Sequence, residues 1–85
     1  MGNAVHEIIR RILRENKQIG PKVDQLNPDD DLYAAGLASF DTVKLMLALE
    51  EAFDIEFPDC MLRRQTFASM ADIERSIAQI NERKA

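Results

Sequence analysis

The stretch GLASFDTVKLMLALEEAF, residues 36–53, decides the fold, because it joins a glycine-containing turn to a run that is apolar almost throughout. Ser39 is of a residue type preferred at helix N-termini, so we predict a helix that begins at Ser39 and ends at about Phe53. At about 100° per residue, its apolar side chains fall on two separate faces. The broader face is wide enough to contact the interior of a bundle and comprises Leu45, Met46, Ala48, Leu49, Ala52 and Phe53.

The narrower face of this helix, which we call the apolar strip, consists of Phe40, Val43 and Leu47. It lies between Glu50 on one edge and Lys44 with Glu51 on the other. Two interpretations are open on this pattern. In the first, the helix is central and both of its apolar faces are buried. In the second, the strip is exposed and contacts a partner, since an apolar patch rimmed by charge is typical of protein contact sites.

Apolar residues at helical spacing also predict a first helix, whose start Asn3 can cap and which Gly20 and Pro21 are expected to end. Its inward face comprises Val5, Ile8, Ile9, Ile12 and Leu13. The side chains expected in water on the opposite side are His6, Arg10, Arg11 and Arg14.

The last helix is expected to begin at a capping box formed by Ser69 and Asp72. Its buried stripe comprises Met70, Ile73, Ile77 and Ile80. Between the first and second helices, residues 18–38 form a long loop in which Asn27 caps one short turn that runs through Tyr33. The apolar residues expected to hold this loop against the core are Leu26, Leu32 and Leu37.

After the second helix, DIEFPD, residues 54–59, is predicted to be an extended loop that supplies apolar side chains to the core. A short third helix follows from Asp59 to about Arg64. The fold class is therefore all-α. We predict a four-helix bundle with three longer helices, one short third helix and a long first loop, in a single domain over residues 1–85.

Composition excludes several functional classes. The longest uninterrupted apolar run, LMLAL at residues 45–49, is too short to span a membrane, and one cysteine with one histidine makes a metal cluster unexpected. No secretory signal pattern is present at the N-terminus, so a cytoplasmic location is expected. Residues 24–59 hold ten acidic residues against Lys44 alone. Such a segment should repel nucleic acid, and it either attracts basic protein surfaces or is a solvated acidic face.

Ser39 is either a helix cap or a chemical handle. A phosphate ester at this position would lie near the free N–H groups and the positive dipole end of the helix. His6 is the single imidazole of the chain and belongs to the outer face of the first helix, so a Ser–His catalytic pair is not expected. A reaction at Ser39 therefore requires another enzyme. A calcium loop counted from Asp29 fails, because Ala34 stands where glycine is needed and Phe40 where glutamate is needed.

These residues resemble the acyl carrier and peptidyl carrier protein family. The resemblance lies in DLYAAGLASFDTVKLMLALEEAFDIEFPD, residues 31–59, with TFASMADI, residues 66–73, and it covers about residues 26–80. The resemblance implies an acyl-carrier-protein-like bundle that is not itself an enzyme. It further implies that a phosphopantetheinyl transferase attaches 4'-phosphopantetheine from coenzyme A to Ser39, and that the arm's thiol holds an acyl or aminoacyl group as a thioester.

The chain departs from the family pattern at the surface that partners contact. Ala38 replaces the usual aspartate, Phe40 replaces leucine, and Lys44 stands where fatty-acid carriers are commonly acidic. These departures favour a stand-alone bacterial aminoacyl carrier, of the kind that ligases resembling seryl-tRNA synthetases load, over a fatty-acid or polyketide carrier. The expected docking residues for the loading ligase and for downstream acyl acceptor enzymes are Phe40, Val43, Lys44, Leu47, Glu50, Arg63 and Arg64.

Two other classes remain open on the sequence. An unmodified helical adaptor could bind one partner through the same apolar strip. An enzyme using Cys60 or His6 is the third class, but no base is placed beside Cys60 in the sequence. No nucleic acid and no membrane is expected as a partner.

Overall fold

The computed structural model describes residues 3–84. This part of the chain contains four α-helices: α1 (Asn3–Arg14), α2 (Leu32–Ala35), α3 (Ser39–Phe53) and α4 (Met70–Lys84). Three 3₁₀ helices lie between them, at Gly20–Gln25, Asp59–Met61 and Arg64–Phe67. No β-strand occurs within residues 3–84, which confirms the all-α prediction. None of the helices in this range combines the length and the apolar content that crossing a membrane requires.

The first helix ends earlier than predicted. α1 ends at Arg14 because Asn16 closes the next turn: its side-chain oxygen accepts the N–H groups of Gln18 and Ile19, at 2.8 and 2.9 Å. Gly20 follows where the chain passes close to α1, and a Cβ there would lie 2.3 Å from the Arg14 carbonyl oxygen. The predicted capping role of the Asn3 side chain lies outside what the structure describes.

Arg10 does not face water as predicted. Its guanidinium is half-buried and donates to the carbonyl oxygens of Val23, at 2.7 Å, and Leu26, at 3.2 Å. These carbonyls end the first 3₁₀ helix, so Arg10 ties this segment of the long loop to α1. His6 also has a partner, since it pairs with Glu74 of α4. The two remaining basic side chains expected in water are exposed, Arg11 and Arg14.

The long first loop is more structured than predicted. Its short helix, α2, is capped by Asp31, whose carboxylate accepts the N–H groups of Tyr33 and Ala34. Asn27 instead lies in a preceding turn, in which its N–H donates to Asp30. The predicted cap at Asn27 was therefore wrong, because an aspartate closer to the helix provides the acceptor. Leu32 and Leu37 are buried as expected, while Leu26 is half-buried.

Gly36 ends α2 and redirects the chain into α3. Its φ of 127° is in the region that favours glycine, and a Cβ there would lie 2.9 Å from the Cβ of Gln18. This turn therefore fixes where α3 begins relative to the first loop.

The core forms where α1, α3 and α4 meet the loops. Its buried residues include the whole predicted stripe of α4 and, from the extended loop after α3, Ile55 and Phe57, as expected. The predicted third helix is instead two 3₁₀ helices, because Arg63 between them has an extended backbone, with φ of −128° and ψ of 155°. The second of these places Phe67 against Phe57, with ring centroids 5.5 Å apart.

Candidate functional site

Ser39 is the first residue of α3, and it is not the cap. Ala38 occupies the capping position with an extended backbone and has no side-chain oxygen to offer. Its N–H donates to the Asp41 carboxylate at 3.0 Å, and the Asp41 N–H donates to the Ala38 carbonyl oxygen at 2.9 Å. The prediction that the helix begins at Ser39 and ends at Phe53 is confirmed, whereas the interpretation of Ser39 as its cap was wrong by one position. The Asp41 carboxylate provides one of the side-chain hydrogen bonds at this helix start, and the Ser39 hydroxyl is not needed for capping.

The Ser39 side chain is exposed. Within residues 3–84 its hydroxyl makes no hydrogen bond, although its carbonyl oxygen accepts one from the Thr42 hydroxyl at 2.6 Å. Apart from the Asp41 N–H, the first-turn N–H groups of Ser39 and Phe40 make no hydrogen bond within residues 3–84, so they remain available to an anion. His6 pairs with Glu74 and makes no hydrogen bond to the Ser39 hydroxyl, so the described residues form no Ser–His pair there. The geometry therefore offers an accessible hydroxyl, and a reaction there would need an external enzyme to activate it.

The two faces of α3 differ in exposure. Leu45 and Leu49 of the broad face are buried, whereas Ala52, which was expected with them, is exposed. The apolar strip is open, with exposed fractions of 72% for Phe40, 54% for Val43 and 55% for Leu47. The interpretation in which both faces are buried is therefore wrong.

Leu62 extends this exposed apolar surface and was missed in the sequence. It is 45% exposed, and it lines one cleft together with Ser39 and Val43. Adjacent Met61 is buried. Consecutive residues of a helix point in different directions, so one can be buried while the next is exposed, and the extended backbone at Arg63 interrupts the helical phase here.

The cleft beside Ser39 has a volume of about 400 Å³. Its lining residues are Tyr33, Ser39, Thr42, Val43, Met46, Leu62, Arg63, Arg64 and Phe67. The charged members of this set are both arginines. The side chains of the cleft thus combine apolar walls with positive charge at the exposed hydroxyl.

Arg64 holds one wall of this cleft in place. Its guanidinium lies 3.8 Å from the centre of the Tyr33 ring, and the Tyr33 hydroxyl donates to the Arg64 carbonyl oxygen at 2.8 Å. Partial burial raises the pKa of Tyr33 above its usual value of 10; the positive charge of Arg64 opposes this rise and the negative charge of Asp31 adds to it. α2 and the segment after α3 are therefore joined directly next to Ser39.

The other predicted docking residues lie on or near the same surface. The Lys44 ammonium is 5.4 Å from the centre of the Phe40 ring, and Arg63 lines the cleft. Glu50 has a structural contact, because its carboxylate accepts the N–H of Phe57 at 2.9 Å and so holds the extended loop after α3. Cys60 is exposed in the 3₁₀ helix Asp59–Met61 and is not among the residues that line the cleft.

Comparison with known proteins shows the family to which the chain belongs. The family model described as "Phosphopantetheine attachment site" matches residues 3–73. A curated relative, the aminoacyl carrier protein of Agrobacterium fabrum (strain C58 / ATCC 33970), is 51% identical over 76 residues, which cover 89% of this chain and 92% of the relative. The chain therefore belongs to the phosphopantetheine attachment family, the carrier proteins.

Solved structures agree in fold. One is the carrier protein from Agrobacterium tumefaciens in a crystal structure with an engineered Bradyrhizobium japonicum glycine:carrier protein ligase and ATP. It is 50% identical with a TM-score of 0.83, over 89% of this chain and 99% of that chain. Another is the carrier in a complex of the B. japonicum ligase with glycylated carrier protein, at 30% identity and a TM-score of 0.66, over 87% and 95% of the two chains. The carrier-protein fold expected from the sequence is confirmed.

The protein is thus a carrier and not an enzyme, and its cofactor is covalently bound 4'-phosphopantetheine. The thiol at the end of the bound arm supplies the thioester chemistry by which a carrier holds its cargo. The described residues fit this group, since they present a free hydroxyl, a helix N-terminus and two cleft arginines in one place.

Proposed function

We propose that Ser39 is the residue to which 4'-phosphopantetheine is attached, and that the protein carries an aminoacyl group on the arm. The observation that supports the attachment site is the exposed Ser39 hydroxyl, free of hydrogen bonds within residues 3–84. The chain has two further serines. Ser69 is buried and bonded to Asp72, and the Ser76 hydroxyl donates to the Asp72 carbonyl oxygen at 2.9 Å. Of the three, Ser39 is the one whose hydroxyl an external transferase can approach.

The residues around Ser39 suit a phosphodiester. The first-turn N–H groups and the positive end of the α3 dipole stabilise negative charge at this position by about 0.3–1 kcal/mol when it is exposed. Arg63 and Arg64 in the adjoining cleft add positive charge, and guanidinium groups bind phosphate oxygens well. The chain contributes binding and orientation of the arm, while the phosphopantetheinyl transferase supplies the catalysis.

The aminoacyl cargo is proposed from the relatives. The carrier structures at 50% and 30% identity are of carriers in complex with glycine:carrier protein ligases, so glycine is the first cargo to test. We propose that a ligase of this kind loads the arm while it contacts the apolar strip, and that a downstream acyl acceptor enzyme then docks on the same surface. The cytoplasm, where coenzyme A and ATP are available, is the proposed location.

Intact mass tests the attachment site. The protein is incubated with coenzyme A and a broad-specificity phosphopantetheinyl transferase, and we expect the mass to rise by one phosphopantetheine. The Ser39→Ala variant should show no increase, while Ser76→Ala, the matched control at a bonded serine, should be modified as the wild type is. Modification that persists in Ser39→Ala, or none on the wild type with several transferases, contradicts the proposal.

A loading assay tests the cargo. The modified wild type is incubated with ATP, the B. japonicum glycine:carrier protein ligase and a panel of amino acids, and intact mass is measured before and after hydroxylamine, which cleaves thioesters. We expect a glycyl increment that hydroxylamine removes, and none on unmodified protein. Loading by fatty acyl ligases but with no amino acid would instead identify a fatty-acyl carrier.

A further inference from the structure

Positive charge is concentrated at the Ser39 end of the apolar strip. Arg63 and Arg64 are the charged residues of the cleft that Ser39 lines, and the Lys44 ammonium lies over the Phe40 ring. These three cations stand close to the proposed attachment point, on a chain whose net charge is −4. The charged groups of the cleft are thus opposite in sign to the net charge of the whole protein.

These cations have no carboxylate partner among residues 3–84, whereas several others do. Ion pairs in this range join Arg14 to Asp24, Arg75 to Asp72 and His6 to Glu74. Arg63 is exposed on extended backbone, which lets its guanidinium reach outward. Arg64 is less available, because it stacks on Tyr33.

Two carboxylates of α3 make hydrogen bonds within the fold. Asp41 accepts the Ala38 N–H and Glu50 accepts the Phe57 N–H. Exposed Glu51 lies twelve residues after Ser39 in α3, which at the helical rise is about 18 Å along the axis. Cations without a carboxylate partner among residues 3–84 therefore lie at the Ser39 end of the strip, and exposed Glu51 lies at its far end.

We propose that the enzyme that loads the arm contacts this surface with carboxylates at the rim of its active-site entrance, which pair with Arg63 and Lys44. The apolar part of the contact is formed by Phe40, Val43, Leu47 and Leu62. This inference rests on the proposed function for the identity of the partner. The inference goes beyond the proposed function because it states the charge of the ligase surface and which end of α3 faces the entrance to the ligase active site.

The charges close to Ser39 determine which partner surface can bind there, because salt screens the charges farther away. The Debye length is about 8 Å at physiological ionic strength, so acidic residues at the far end of the strip or on the loops contribute little at Arg63. The net charge would predict a basic partner, but the groups that meet first at the Ser39 end are cations. An arginine pairs with carboxylates through two parallel hydrogen bonds, which also fixes orientation. The arm would then be directed into the active site.

Charge reversal at Arg63 tests this inference. With glycine and the B. japonicum ligase as the probe, we expect kcat/KM for loading of fully modified Arg63→Glu to fall on the order of 10-fold at low ionic strength, mainly through KM. The loss should shrink as salt is added. Arg11→Glu, which makes the same charge change on α1 outside the strip and the cleft, should stay within about 2-fold of the wild type, because far surface charges are screened. Arg63→Lys should recover part of the loss.

Binding of the unmodified chain separates enzyme docking from positioning of the arm. Because the unmodified protein has no arm, its affinity for the ligase depends on the protein surface alone. Unmodified Arg63→Glu should therefore bind the ligase more weakly than the unmodified wild type. Equal binding by the two, or tighter binding by Arg63→Glu, contradicts an acidic partner surface. Failure of the modified wild type to accept glycine at all contradicts the proposed function instead, so the two failures are distinguishable.

Discussion

The helices α3 and α4 have the same length, 15 residues, yet they use their apolar side chains differently. All four residues of the α4 stripe are buried: Met70, Ile73, Ile77 and Ile80. In α3 the core takes Leu45 and Leu49, while the apolar strip on another face stays exposed. α3 thus carries more apolar surface than the fold uses. That surplus is what a carrier needs, because each partner must dock on a surface that remains free between visits.

The serines at the two helix starts differ in the same way. The Ser69 hydroxyl is buried, accepts the Asp72 N–H at 3.1 Å and donates to the Asp72 carboxylate at 3.0 Å. Ser39 is exposed and its hydroxyl has no such bond within residues 3–84. A shift of one position relative to the helix start separates a serine that stabilises the fold from one that is available for modification.

The largest expected effect is a difference in stability between variants of two leucines of α3. Leu49 is fully buried and Leu47 is 55% exposed. Leu49→Ala should lower the free energy of unfolding by about 2–5 kcal/mol, because it removes buried contacts and leaves a cavity. Leu47→Ala should change it by about 0.5 kcal/mol or less. Urea denaturation of the unmodified protein measures both.

The same leucine pair separates stability from docking. Loading of modified Leu47→Ala by the ligase should be slower than that of the wild type, although the protein is equally stable. A large loss of stability on Leu47→Ala would place the strip in a contact within the fold, and the contrast between the two faces of α3 would fail.

The α4 stripe could be predicted from sequence because its apolar residues share one face, so there is only one way to bury them. In α3 the spacing gave two faces but not which one would be covered. Which face of α3 is buried depends on where the other helices and loops pack, and the sequence of α3 alone does not determine that. Leu62 escaped prediction for a related reason, since its direction depends on the extended backbone at Arg63.

The bounds of α3, Ser39–Phe53, are those predicted, but the capping residues were predicted less well. Asp31 rather than Asn27 caps α2, because neighbouring polar residues compete for that position, and Ala38 rather than Ser39 occupies the cap position of α3. Ser69 was predicted correctly, since Asp72 supports it within the same turn. The bonds of Arg10 were not predictable, because its acceptors are carbonyl oxygens of a distant 3₁₀ helix.

The next largest effect is expected at the two serines. Ser69→Ala should lower the free energy of unfolding by about 1 kcal/mol, because the Asp72 N–H loses its acceptor. Ser39→Ala should change it by about 0.5 kcal/mol or less, since its hydroxyl makes no bond within the described chain and alanine suits the first turn of a helix. Thermal or urea unfolding of both variants checks this. A Ser39→Ala variant as destabilised as Ser69→Ala would show that Ser39 does cap α3.

The smallest effect concerns the connection between α3 and α4, which is fastened to α2 by the Tyr33 hydroxyl and the Arg64 carbonyl oxygen. Tyr33→Phe removes this hydrogen bond but keeps the ring under the Arg64 guanidinium. It should lower the free energy of unfolding by about 0.5–1.5 kcal/mol at neutral pH.

The pH dependence of this difference has a definite sign. The pKa of Tyr33 is raised in the folded protein, chiefly by burial, so folding favours its neutral hydroxyl. The stabilisation from Tyr33 is therefore fully present below the unfolded pKa of about 10 and is lost as the pH rises through the higher folded pKa. The advantage of the wild type over Tyr33→Phe should be constant from neutral pH to about 9 and should narrow above 10. Urea denaturation of both proteins across this range measures it, and other titrating groups cancel in the difference. If the stability difference between the wild type and Tyr33→Phe instead increases above pH 10, the ionised form of Tyr33 stabilises the fold more than the neutral form. The positive charge of Arg64 would then outweigh the effect of burial.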